Sequence, residues 1–158
     1  MDYFQGVVTE YLRADRAIFV NTECLIQLEP GDVPAKSRHW YCDATAINLR
    51  ESKAYLCEIT YSATLHALLG RLAAWAKIWP QLRAAILRDC SIPLSWQVQP
   101  WVFIPQARHE VLKKKFALIK SETPDTQMPD LRITYLESVT PWNYRSWDRQ
   151  SDAVATDA

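Results

Sequence analysis

Only three of the 158 residues are glycine, Gly6, Gly31 and Gly70, and each stands alone. No GxGxxG fingerprint, P-loop or GxSxG elbow can be written from them, so folds that cradle phosphate on glycine-rich backbone are excluded. Net charge is also missing: eighteen basic residues balance eighteen acidic ones. A bulk positive field for nucleic acid is therefore absent. Met1–Gln5 has neither a basic n-region nor an apolar h-region, so no secretory signal is expected. The longest mainly apolar stretch, Leu65–Trp79, is interrupted by His66, Gly70, Arg71 and Lys77. It is too short and too charged to span a bilayer, so no membrane partner is expected. Cys24, Cys42, Cys57 and Cys90 form no CxxC pair, and His39, His66 and His109 show no paired-ligand spacing. These features predict a reduced, cytoplasmic protein with buried thiols, in which any metal is held mainly by oxygen.

What is present suits one globular domain. The chain is 49% hydrophobic and 23% charged, a composition and length that can bury a sizeable core. We read residues 1–147 as a single domain and 148–158 as a polar, disordered tail. Asp2 and Gln5 have the spacing of a capping box that opens a helix through Leu12. A first strand lies within Ile18–Leu28, centred on Cys24–Leu28, and is followed by a Pro/Gly loop at Glu29–Pro34. Trp40–Leu49 and Ala54–Tyr61 read as a hairpin around Arg50–Lys53. Ser62 or Thr64 can cap a helix over Leu65–Trp79, and Pro80 kinks it or starts another over Gln81–Asp89. Trp96–Ile104 reads as a strand that Pro100 places at an edge or bulge. Arg108–Lys120 is helical, and Leu131–Ser138 is a last strand. This order predicts an α/β (α+β) fold: a mixed central sheet flanked by helices, with an αβββαβ core.

The hairpin brings acids together. With Arg50–Lys53 as the turn, Asp43 lies opposite Thr60 and Thr45 opposite Glu58. Opposed residues share a sheet face, so two carboxylates and two hydroxyls form one patch. Asp43 and Glu58 sit among Trp40-Tyr41-Cys42 and Tyr55-Leu56-Cys57, where an uncompensated carboxylate would have a raised pKa. A hard divalent ion such as magnesium is one compensation. A pair of exposed strand carboxylates is the plainer reading.

The element order and three acids resemble the PD-(D/E)xK nuclease superfamily, closest to the compact restriction-endonuclease-like and archaeal Holliday-junction-resolvase-like members. The matching pieces are Glu10 in Val8-Thr9-Glu10-Tyr11, Asp43 in Tyr41-Cys42-Asp43-Ala44, and Glu58-Ile59-Thr60. The resemblance implies a nuclease that hydrolyses DNA with Mg2+ (or Mn2+) on Asp43 and Glu58, Glu10 serving as a further metal ligand. Glu23 is the substitute ligand if the first helix lies elsewhere. Two departures stand out. No proline precedes Asp43, and Thr60 occupies the place of the motif lysine, whose positive charge a hydroxyl cannot supply. Lys77, on the following helix, is the candidate replacement. The proposed catalytic set is therefore Asp43, Glu58, Thr60 and Lys77.

Arg71 and the run Lys113-Lys114-Lys115 are candidate phosphate contacts, although three consecutive helical residues fan over about 200° and form no narrow stripe. A solvated helix face is the plainer reading. Seven tryptophans are many for this length. Trp75 and Trp79 have core spacing, and the aromatic run Trp142–Trp147 suits covering a sheet edge or an oligomer contact. Zero net charge is a cancellation: residues 1–61 carry −3, 62–89 carry +3, 105–120 carry +4 and 121–158 carry −4. DNA is the expected partner of an active enzyme, with a homodimer or protein partner as a further expectation. The alternatives are a catalytically degenerate member acting as a binding module, or an unrelated small α/β interaction protein.

Overall fold

Asp2 and Gln5 cap each other at the start of the first helix. Gln5 N–H donates to Asp2 Oδ1 at 2.8 Å, and Asp2 N–H donates to Gln5 Oε1 at 3.1 Å. The helix, α1 (Tyr3–Arg13), buries Val8, Thr9, Tyr11 and Leu12. It is the first element of a computed structural model that describes residues 2–31, 39–147, 149 and 156–157. After α1 come β1 (Ile18–Gln27), β2 (His39–Asn48), β3 (Lys53–Ile59), α2 (His66–Lys77), α3 (Trp79–Asp89), β4 (Gln97–Ile104), α4 (His109–Glu122), β5 (Arg132–Tyr135) and β6 (Thr156–Asp157). The predicted mixed sheet flanked by helices is the observed architecture.

The six strands lie in chain order. β1–β2–β3 form an antiparallel meander, whereas β3–β4 and β4–β5 are parallel. Parallel neighbours need a crossover, and helices supply it: α2 and α3 between β3 and β4, and α4 between β4 and β5. Both sheet faces are therefore covered. On one side α1 packs Val8, Tyr11 and Leu12 against Ala44, Tyr55, Cys57, Trp101 and Phe103. On the other, Leu68, Leu72, Trp75, Leu82, Ile86, Leu112 and Phe116 cover Leu56, Val98, Val102 and Ile133. Trp75 and Trp79 belong to this core, while Trp142 and Trp147 are exposed. Cys24, Cys42 and Cys57 are buried free thiols, and Cys90 is half-buried.

Three local expectations need correction. β4 is a central strand despite Pro100, which pairs with Leu56. Thr60 N–H donates to Phe103 O, so odd residues of β4 point their amides at β3 and Pro100 points toward β5. Pairing with β5 begins only at Trp101–Arg132, and the missing amide costs no ladder bond. The α2 N-cap is Leu65 in a left-handed conformation (φ 56°), with its side chain fully buried. Thr64 precedes it, and its Oγ1 accepts the His66 amide at 3.4 Å. β5 ends at Tyr135, where Leu136–Ser138 tightens into a 3-10 turn. Of the predicted Pro/Gly loop, Asp32–Pro34 lies outside the described residues. Within the predicted tail, Arg149 is buried against α1 and Thr156–Asp157 pairs with β5; the other positions lie outside the described residues.

Candidate functional site

The β2–β3 turn sets the register of the acids. Asn48 Oδ1 accepts the amides of Arg50 and Glu51, each at 3.0 Å, and Ser52 is left-handed at φ 54°. The asparagine closes the turn one residue earlier than expected. Asn48 therefore pairs with Lys53, Thr45 with Leu56, and Ala44 with Cys57. The predicted pairs Asp43–Thr60 and Thr45–Glu58 are thus off by two residues. Carried one step further, the observed register sets Asp43 directly across from Glu58. A slip of two preserves the faces, because side chains alternate with period two.

At Asp43 the strands part. The ladder with β3 stops at Ala44–Cys57, and the Ile59 amide, which would reach the β2 backbone, donates instead to Asp43 Oδ2 at 2.8 Å. The β1–β2 ladder also skips this position, running from Thr22–Ala44 to Cys24–Cys42, with Glu23 left-handed at φ 52°. Across that kink the inward residues change layer: Ile18, Ala44 and Ala46 pack toward α1, whereas Cys24, Ile26 and Cys42 pack toward α2 and α3. Asp43 thus stands at a fork. Its Oδ1 accepts Gln5 Nε2 at 2.9 Å, so α1 and β3 together orient the carboxylate.

The fork opens into a cleft of about 180 Å³ lined by Asp43, Glu58, Ile59, Thr60, Ala67, Leu68 and Arg71. Glu58 is 5% exposed, and Arg71 Nη1 donates to its Oε1 at 2.7 Å. Burial and then the neighbouring Asp43 charge push the Glu58 carboxyl up to about 8; Arg71 pulls it down but does not prevail. The hydrogen bond that a protonated Glu58 shares with Asp43 adds to the rise. Two like charges facing each other in a partly dry cleft cannot both ionise cheaply.

Asp43, Glu58, Thr60 and Arg71 therefore meet in one cleft. Glu10 does not join them: it lies on the exposed face of α1, 3.4 Å from Arg13. Lys77 is six residues beyond Arg71, roughly 9 Å along the helix, and lines a separate groove with Pro80 and Thr126. Lys113, Lys114 and Lys115 are exposed on α4, and Glu23 is exposed at the β1 kink. Gln5 joins the site through Asp43 although no site motif contains it. Its signal was its capping role, which fixes the helix end that points its amide at Asp43. Among the described residues no group of three His, Cys, Asp or Glu side chains is arranged to hold a metal ion. No described helix is long and apolar enough to cross a membrane.

No protein-family model and no curated protein matches the chain. Among solved structures it is similar to an XisH family protein from Nostoc punctiforme PCC 73102, with 13% identity and a TM-score of 0.50. The match covers 88% of this chain and 95% of that one. At this identity the likeness shows a shared fold over nearly the whole chain.

Proposed function

We propose that this chain is a metal-dependent nuclease-fold protein that hydrolyses DNA phosphodiester bonds at the Asp43–Glu58 cleft. The observation that carries the reading is the convergence of these two acids, from adjacent strands, at the fork where β2 leaves β3. The fold shared with an XisH family protein is compatible with the nuclease resemblance of the sequence. Opposed carboxylates suit a hard cation such as Mg2+ or Mn2+, because it relieves the repulsion that raises the Glu58 pKa. When bound, such an ion supplies a water of lowered pKa and charge for the scissile phosphate.

The protein's own groups have separable roles. Gln5 and the Ile59 amide hold Asp43 in one orientation. Arg71 brings a fixed positive charge to the mouth of the cleft, the role that a motif lysine would otherwise fill. Thr60 adds a hydroxyl beside it, its Oγ1 already accepting the Ser62 amide at 3.0 Å. The test is cleavage of single-stranded, duplex and branched DNA with Mg2+, Mn2+ or chelator. Metal-dependent cleavage that Glu58→Ala and Asp43→Asn abolish, with the fold retained by circular dichroism, is the expected result. Cleavage surviving in Glu58→Ala overturns the assignment.

One observation favours a second reading, a catalytically degenerate module that binds without cutting. Arg71 occupies Glu58 Oε1, and no third acid joins the pair among the described residues. DNA binding without metal-dependent cleavage is the outcome that selects it.

A further inference from the structure

A second polar cavity lies at the other end of β3, on the α1 side of the sheet. It measures about 260 Å³, and three arginines, Arg50, Arg132 and Arg149, line it with Asp15 and Glu51. The acids are already engaged. Arg50 grips Asp15 with two bonds, Nη1 at 2.8 Å and Nη2 at 2.7 Å. Glu51 takes Arg132 Nη1 at 3.2 Å and the Tyr55 hydroxyl at 2.8 Å.

Arg149 is the surplus cation. It is 1% exposed, yet its bonds go to backbone: Nε to Tyr11 O at 2.5 Å and Nη2 to Leu12 O at 3.5 Å. Its guanidinium also lies over the Tyr11 ring at 3.9 Å. No carboxylate among the described residues touches it, and burial lowers its pKa despite Tyr11 and Asp15. A buried guanidinium met by carbonyls and a tyrosine, with no carboxylate among the described residues to neutralise it, keeps much of its desolvation cost. Arg132 is held facing the same space, stacked over Trp101 at 4.1 Å and Tyr55 at 5.1 Å. Stacking fixes its plane, and with Nη1 held by Glu51 and the Tyr55 hydroxyl it is Nε and Nη2 that remain for a planar or tetrahedral oxyanion.

We propose that this cavity is an anion site for a phosphate group, either inorganic phosphate or a phosphate monoester, with Arg149 and Arg132 as its main ligands and Arg50 at its rim. Among the described residues three guanidiniums line the cavity against two carboxylates, Arg149 being the one that no described carboxylate touches, and about 260 Å³ has room for one phosphate. The site lies on the opposite sheet face from Asp43–Glu58 and stands independently of the nuclease reading.

Thermal unfolding of the full chain in inorganic phosphate, against chloride at matched ionic strength and pH, tests the site. Phosphate at ten times its dissociation constant should raise the Tm by about 3–6 °C. Arg132→Gln and Arg149→Met should abolish the rise, while Lys113→Ala/Lys114→Ala/Lys115→Ala should keep it. If Arg149→Met fails to fold because it uncaps α1, Arg132→Gln decides alone. A 5′-mononucleotide arm separates the two sources: a larger rise than with phosphate identifies the monoester, an equal or smaller one the free ion. No rise in the wild type, an undiminished rise in Arg132→Gln, or an equal rise with acetate overturns the proposal.

Discussion

Gln5 Nε2 donates to Asp43 Oδ1 at 2.9 Å while Oε1 of the same side chain accepts the Asp2 amide at 3.1 Å. One amide therefore ends a helix and aims a carboxylate. The two duties separate in a double-mutant cycle. Gln5→Ala should cost about 1–2 kcal/mol in urea denaturation, as cap losses do. With Asp43→Ala the coupling should be about 1 kcal/mol, the net scale of an ordinary hydrogen bond in a folded protein. Additive losses within about 0.3 kcal/mol would deny the contact.

Glu58 makes stability depend on pH in a direction unusual for a carboxylate. Its folded-state pKa, about 8, lies above the ordinary value of 4.5, so between these values the folded state binds the proton more tightly. Its contribution is present below pH 4.5 and is lost as pH rises toward 8, roughly 3–5 kcal/mol in all. Glu58→Gln should flatten that decline and be the more stable protein at pH 8. Parallel wild-type and Glu58→Gln Tm profiles across pH 5–8.5 would refute the buried, strained carboxyl.

Asp15 works in the opposite sense. The hydrogen bonds from Arg50 hold its carboxyl below the usual range, so its stabilisation is present at neutral pH and lost as pH falls through the depressed value. Arg50→Gln should raise the pH at which acid unfolding begins. Acid titration followed by tryptophan fluorescence measures it, and an unmoved midpoint counts against the pair.

Thr60→Lys restores the charge that the motif position would carry. With Thr60 already in the cleft, the nuclease reading expects metal-dependent cleavage to rise at least tenfold. Single-turnover rates on duplex DNA at saturating Mg2+ are the measurement. A rate unchanged by the lysine, with Arg71→Gln abolishing cleavage, would assign the electrostatic role to Arg71 alone.

Trp101 is fully buried with Nε1 donating to Thr134 Oγ1 at 2.9 Å. Thr134→Val keeps the volume but strands the indole N–H, and should cost about 1–3 kcal/mol. Trp142→Ala, at a side chain 79% exposed, should stay within about 0.5 kcal/mol. Equal effects from the two changes would contradict the burial difference between them.

Much of this architecture is visible in local pattern alone. The Asp2–Gln5 cap, Pro80 at the head of α3, and the order of helices and strands follow from side-chain chemistry acting within one or two turns. So does the pairing of Asp43 and Glu58 on one sheet face, because strand alternation survives a register slip of two. Tertiary structure decided what depends on distance along the chain. Asn48 chose the register by capturing two turn amides, and the kink at Glu23 opened the fork at Asp43. Arg71 met Glu58, while Lys77, nearly two helical turns later, points to another groove. The near absence of glycine kept its meaning throughout, since both polar cavities are built from side chains. Which charges line them was settled by packing, where burial makes an unmatched arginine or a doubled carboxylate matter far more than it does in the unfolded chain.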